Sequence, residues 1–357
     1  MKQNNVRIHI LKTFYPHWNC HTAFNAFLPY FNRTKFNFTV KNVPMENGKI
    51  LPSVIYSFLA NAFKGGKIQE YKLNDFWAEL QTLVSASFCK IDLIHFIDAE
   101  HSMLFLPGWF RRLRYLKTVP KIIGMFHQPP EILQKIINPE IAGMADHILT
   151  VAPQQADFFA QFVPAERIST ILLGVDTEYF KPVVEKKETG KFICLSGGVW
   201  LRDYEAVFET ARLLKDVPEI EFHIVSKAIR KPENMNNIVL HHNISDNTLM
   251  DLYQNSHILF MPMKNATANT FLLEGCACGL PIVSTFLPSI KVYFPGDEAV
   301  LIKDNDPRAF VNVLTGLYHD HKKLALMSQW ARQRALQLSW DIIVKEYEQL
   351  YMRLCGL

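Results

Sequence analysis

The stretch NTFLLEGCACGLPIVST (269–285) contains one carboxylate, Glu274, among residues that otherwise read as protein core. An unpaired buried carboxylate is costly, so it needs a partner, and a ligand is one candidate. MPMKNATANTFLLE ends a strand and starts a helix, whose free N–H groups near Asn269 and Thr270 suit a phosphate. Glu274 follows about one turn later, placed to accept hydrogen bonds from a sugar diol. The alternative is a cap, with Glu274 serving its own helix. In FICLSGGVWLRDYEAVFETA, Gly197 and Gly198 allow close backbone approach, and Arg202 brings a planar donor fork suited to phosphate. A tight turn with a solvated arginine is the equal alternative. In KIIGMFHQPPE, His127 stands at a strand end where Pro129-Pro130 stops regular structure; a structural histidine is the competing reading.

The elements that must position these residues alternate along the chain. VRIHIL, DLIHFI, KIIGMF, HILTVA and ISTILLG read as strands separated by helical stretches, with a long helix expected from Asn19 through TAFNAFLPYF. GVDTEYFKPVVEKKETGK (174–191) breaks the pattern and reads as a linker. The alternation then restarts through KFICLSGG, EFHIVSK, IVLHH, HILFMP and PIVST. This predicts an α/β protein of two Rossmann-like doubly wound domains facing across a cleft. The expected division is 1–175, 176–340, and a C-terminal helix over 341–357 packing back on the N-terminal domain.

With 357 residues, 49% hydrophobic and 20% charged, the chain has the composition of a globular protein and the length of two domains. A net charge of +4 permits an anionic ligand without demanding nucleic acid, and none is expected. The six cysteines form no CxxC pair, so no zinc site or disulfide framework is indicated. Arg7, His9 and Lys12 interrupt the first apolar stretch, and no run is long enough to span a bilayer, which predicts a cytoplasmic protein. Asp304 and Asp306 make a D-x-D pattern, but Pro307 marks Asp306 as a helix cap, and no metal is expected. In HFIDAEH, Glu100 and His101 are candidates for the acceptor side. GWFRRLRYLKTVPK sets Arg111, Arg112, Arg114 and Lys117 among aromatics, which suits either an anionic membrane surface or a solvated helix face.

ADHILTVAPQQADFF…ISTILLGVDTEYFKP and LLEGCACGLPIVST together resemble the retaining glycosyltransferases of family 4, which have the GT-B fold. The likeness runs from about residue 90 to 350. It implies that Glu274 binds the nucleotide ribose, that Asn269 and Thr270 meet the diphosphate, and that Gly197 and Arg202 lie at the phosphates. It also implies that His127 lies near the donor sugar. Where the family has a further glutamate, eight positions before Glu274, this chain has Ala266. The family's lysine after the phosphate arginine is missing at Asp203 and Tyr204, leaving Lys264 as a substitute. The first strand-to-helix loop, KTFYPHWNCHTAF, lacks the family's glycines.

The resemblance therefore implies a metal-independent, retaining transfer of a sugar from a nucleoside diphosphate donor to an acceptor hydroxyl, with no cofactor. The rival readings are a nucleotide-binding scaffold without turnover and a nucleotide-sugar epimerase.

Overall fold

A computed structural model of the chain describes residues 5–16, 18–44, 71–113, 119–187 and 189–357. They fall into two units. The first comprises Met1–Trp18, Leu28–Leu172 and Ile343–Leu357, and the second Asn19–Phe27 and Leu173–Ile342.

The first unit holds a parallel six-stranded sheet of β1 (Val6–Phe14), β2 (Phe36–Pro44), β3 (Leu93–Phe96), β4 (Lys121–Phe126), β5 (His147–Thr150) and β6 (Ile168–Thr170). Its order is β2-β1-β3-β4-β5-β6. The central strands are buried on both faces, which explains their near-continuous apolar sequence. Strand β2 is a finding beyond the sequence reading. It is an edge strand, mostly exposed or half-buried, so only the alternation in FNFTV could have shown it. Residues from Ile343 of the helix Trp340–Leu354 belong to this unit. There Tyr351 stacks on Phe31 at 5.8 Å and shares a 2.8 Å hydrogen bond with His95 Nδ1.

The second sheet is also parallel, with β7 (Phe192–Gly197), β8 (Ile220–Val225), β9 (Ile238–His241), β10 (Ile258–Met261), β11 (Ile282–Thr285) and β12 (Ala299–Ile302) in the order β12-β11-β10-β7-β8-β9. Strands β7 and β10 are neighbours whose onward connections run to opposite sides. Their carboxyl ends therefore form the topological switch point where such sheets bind ligands. Phe222, Phe260, Ile258 and Phe310 fill the core on one face.

Two expectations need correction. Asn19 does not begin a long helix. Ala23 has φ +47°, outside the right-handed helical region, and only short 3-10 turns form at Ala23–Asn25 and Leu28–Tyr30. Phe24 and Phe27 instead pack on Trp340, with ring centroids 5.6 and 5.7 Å away, which holds Asn19–Phe27 in the second unit. The start of the expected linker is likewise fixed structure. Val175 pairs with Ser339 as an isolated bridge, and a Cβ at Gly174 would meet the Trp340 ring at 2.5 Å.

Candidate functional site

The switch point of the second sheet is built from two interlocked loops. Lys264 N donates to Leu201 O at 2.9 Å, Asp203 N donates to Pro262 O at 3.0 Å, and Arg202 bridges Met263. Asn305 ties the pair from outside, donating to Asp203 Oδ2 at 2.9 Å and to Met263 O at 3.0 Å. The β7 and β10 loops thus behave as one platform, with Arg202 on it.

Arg202 is half-buried and folds back on its own loop. Nε donates to Gly197 O at 2.8 Å, and Nη1 donates to Trp200 O at 3.0 Å. Among the described residues no carboxylate pairs with it. Burial lowers its pKa, offset by Tyr204 and Tyr253 nearby. A guanidinium held by two carbonyls and the Met263 thioether, with no countercharge among the described residues, is an incomplete ion pair.

Glu274 lies in the helix Thr270–Ala277 and is 6% exposed. Oε2 accepts a 2.9 Å hydrogen bond from Tyr253 Oη, and Oε1 is buried without a partner. Burial raises the carboxyl pKa to about 7, against hydrogen bonding from Tyr253 and a lowering influence of Thr22; Asp246 raises it further. Thr22 Oγ1 itself donates to Asn19 Oδ1 at 3.2 Å, which leaves Oε1 unpartnered. Among the described residues neither a cation nor a helix cap claims this carboxylate. The cap is Asn269, whose side chain accepts from Leu272 N at 3.1 Å.

The sequence-predicted residues of this unit come together, with altered roles for some. Asn269 is 6% exposed and its side chain is committed to capping, so only the helix's first N–H groups, beginning at Thr270, are offered to an anion. Gly197 makes room for protein and not for a ligand: a Cβ there would lie 2.0 Å from the Phe271 ring. Gly198 has φ +91°, and its missing Cβ clears the Arg202 guanidinium, which would lie 3.0 Å away. Lys264 is exposed beside this platform. Asp306 caps its helix by accepting from Arg308 N at 3.0 Å, as its place before Pro307 suggests.

In the first unit, Glu100 and His127 meet at the ends of β3 and β4. His127 N donates to Glu100 Oε1 at 3.0 Å, and His127 Nε2 donates to Ile97 O at 2.5 Å, which sets the tautomer with its proton on Nε2. Burial lowers the His127 pKa, with Asp98 opposing. Glu100 is 1% exposed, its Oε2 has no partner, and burial raises its pKa to about 7. His101 is half-buried next to them in sequence. Of the basic segment, Arg111 and Arg112 are exposed, while Phe110 is buried and Trp109 packs against the core. Phe110 and Trp109 therefore face inward; Arg114, Tyr115 and Lys117 lie outside the described residues.

Sequence reasoning missed Tyr253, because a tyrosine in the amphipathic helix Asp246–Asn255 reads as core. It also missed His21, whose Nδ1 lies 2.7 Å from Asp176 Oδ2 and whose ring stacks on Tyr179 at 3.7 Å. Only a pairing of HWNCH with GVDTEY, 155 positions apart, could have shown it.

Residues 175–334 match the family described as glycosyl transferases group 1. A D-inositol 3-phosphate glycosyltransferase of Corynebacterium urealyticum is 29% identical over 107 residues, 30% of this chain and 25% of that protein. One from Xylanimonas cellulosilytica is 23% identical over 290 residues, 68% of this chain and 69% of that protein. The chain thus aligns with only a quarter of the first relative's length and about two thirds of the second's. Sucrose-phosphate synthase from Thermosynechococcus elongatus superposes with a TM-score of 0.71 at 14% identity, covering 99% of this chain and 100% of that one. Anabaena Alr3699/HepE, solved with UDP and glucose, superposes with a TM-score of 0.66 at 13% identity, again over 99% and 100%. The fold is GT-B, and the match to glycosyl transferases group 1 lies within the second unit.

Proposed function

We propose that this protein moves a sugar from a nucleoside diphosphate sugar to an acceptor hydroxyl, retaining the anomeric configuration and using no metal ion. The observation that carries the reading is Arg202: a half-buried guanidinium without countercharge, fixed at the switch point beside the start of the helix that bears Glu274. A diphosphate supplies the missing charge. As the glycosidic bond breaks, negative charge grows on the departing diphosphate, and a preplaced guanidinium with the N–H groups near Thr270 stabilises it. Glu274 Oε1 takes a ribose hydroxyl. Retention follows from attack on the face the diphosphate leaves, as the likeness to the family 4 glycosyltransferases implies. That HepE was solved with UDP makes uridine diphosphate sugars the first donors to try. Contact of Arg111 and Arg112 with an anionic membrane belongs to the same reading if the acceptor is lipid-linked; sedimentation with anionic vesicles tests it.

The test is release of nucleoside diphosphate from uridine, guanosine, adenosine and thymidine diphosphate sugars, with and without EDTA. One donor is expected to turn over, EDTA to leave the rate unchanged, and NMR of the product to show retention. Loss of turnover with EDTA, or an inverted product, overturns the corresponding part. A second reading, nucleotide binding without turnover, is favoured by Ala266, which stands where the family has its other glutamate. No turnover with any donor, together with tight nucleotide binding, decides for it.

A further inference from the structure

We propose that Tyr253 is a positioning residue for donor recognition: its hydroxyl holds one oxygen of Glu274 so that the other is oriented for a ribose hydroxyl. The inference rests on the nucleotide-binding reading of Glu274 above and assigns what holds that carboxylate in place. Tyr253 is fully buried in the helix Asp246–Asn255, with its ring against Phe271 at 4.9 Å and Phe180 at 6.1 Å. From this packing its hydroxyl donates to Glu274 Oε2 at 2.9 Å. A carboxylate with one oxygen anchored and the other buried and unpartnered presents a single acceptor in a defined direction.

The hydrogen bond also decides the charge of the group. Burial pushes Glu274 up to about 7, with the Tyr253 hydrogen bond working against it. The charged and polar groups facing the pair are Asp246 on the tyrosine's own helix, Cys278 just beyond the glutamate's helix, Thr22 on the Asn19–Phe27 segment, Tyr179 near Asp176, and Arg202 on the β7 loop. Of these, Tyr253 and Thr22 favour the ionised carboxylate, and Asp246 opposes it. Deleting the Tyr253 hydroxyl removes the stronger of the two favourable contacts. The neutral acid then persists to higher pH and meets the ribose with a weaker acceptor.

Tyr253→Phe keeps the ring and its packing, so it isolates the hydroxyl. Affinity for the nucleoside diphosphate that binds wild type is measured by calorimetry from pH 6 to 9 on wild type, Tyr253→Phe and Glu274→Gln. In wild type, affinity rises with pH through about 7 as Glu274 ionises. Tyr253→Phe is expected to bind about 2- to 5-fold more weakly at pH 7 and to approach wild-type affinity near pH 9, in line with one unit or less of pKa displacement. Glu274→Gln is expected to bind weakly at every pH. If Tyr253→Phe follows the wild-type curve while Glu274→Gln is weak, the positioning role is wrong and the nucleotide reading survives. If Glu274→Gln binds like wild type, the ribose role of Glu274 fails, and the inference fails with it. A loss in Tyr253→Phe that is equal at all pH values assigns the hydroxyl to orientation alone and overturns its effect on charge.

Discussion

At Gly197 the space a side chain would need is already taken by the Phe271 ring, 2.0 Å from where a Cβ would stand. Gly197→Ala is therefore expected to lower stability by about 1 to 3 kcal/mol in urea unfolding, and Phe271→Leu in the same chain to return part of the loss. Additive losses in the double variant would contradict the clash. Glu274 and Arg202 could be singled out in the sequence because each sits at a fixed offset from a strand end and a helix start. Their surroundings were not. That Gly197 serves Phe271, that Asn269 spends its amide on Leu272, and that Tyr253 reaches Glu274 are all outcomes of packing between loops and helices. A one-dimensional pattern holds no record of which side chain fills a neighbour's space.

Among the elements, the alternation of apolar runs with amphipathic stretches revealed most strands, since a parallel sheet buries both faces of each. Edge strand β2 escaped because one-sided burial leaves polar residues in half its positions. The segment Asn19–Phe27 escaped for a different reason: its apolar residues pack at helix-like spacing, but on a single tryptophan in the second unit. Phe27, fully buried there, makes this element testable. Phe27→Ala is expected to cost about 3 to 5 kcal/mol, read as a lower urea midpoint. It should also quicken proteolysis near Cys20 and His21, since the segment loses its anchor. A loss below about 1 kcal/mol would show that the segment is not held by this contact.

For the whole molecule, buried titratable groups of opposite kinds set the pH at which it is most stable. Burial raises Asp75, Glu79, Glu100 and Glu274 to about 7, above their unfolded values of 3.8 to 4.5. Their contribution is present at low pH and is lost as pH rises through 7. Burial lowers His9, His147 and His257 to about 4 and His95 to about 3, below 6.5, so their contribution is present above 6.5 and is lost as pH falls. The two sets largely offset each other between about pH 4.5 and 6.5, so the melting temperature should be roughly level there and fall on both sides; a monotonic rise to pH 9 would refute this balance. The C-terminal helix makes a second test at this scale. A chain ending at residue 342 loses Tyr347 and Tyr351, both fully buried, and uncovers Phe31 and His95. Such a chain should be insoluble or lack a cooperative transition in its first unit.

The account depends most on Arg202 meeting a diphosphate. Calorimetry of uridine, guanosine, adenosine and thymidine diphosphate against wild type and Arg202→Ala measures that directly. One nucleotide should bind wild type, and its affinity should fall at least about 10-fold in Arg202→Ala, the cost of removing a charge-assisted contact of roughly 1.5 to 3 kcal/mol. Equal binding by the two proteins, or binding of none of the four by wild type, would contradict it.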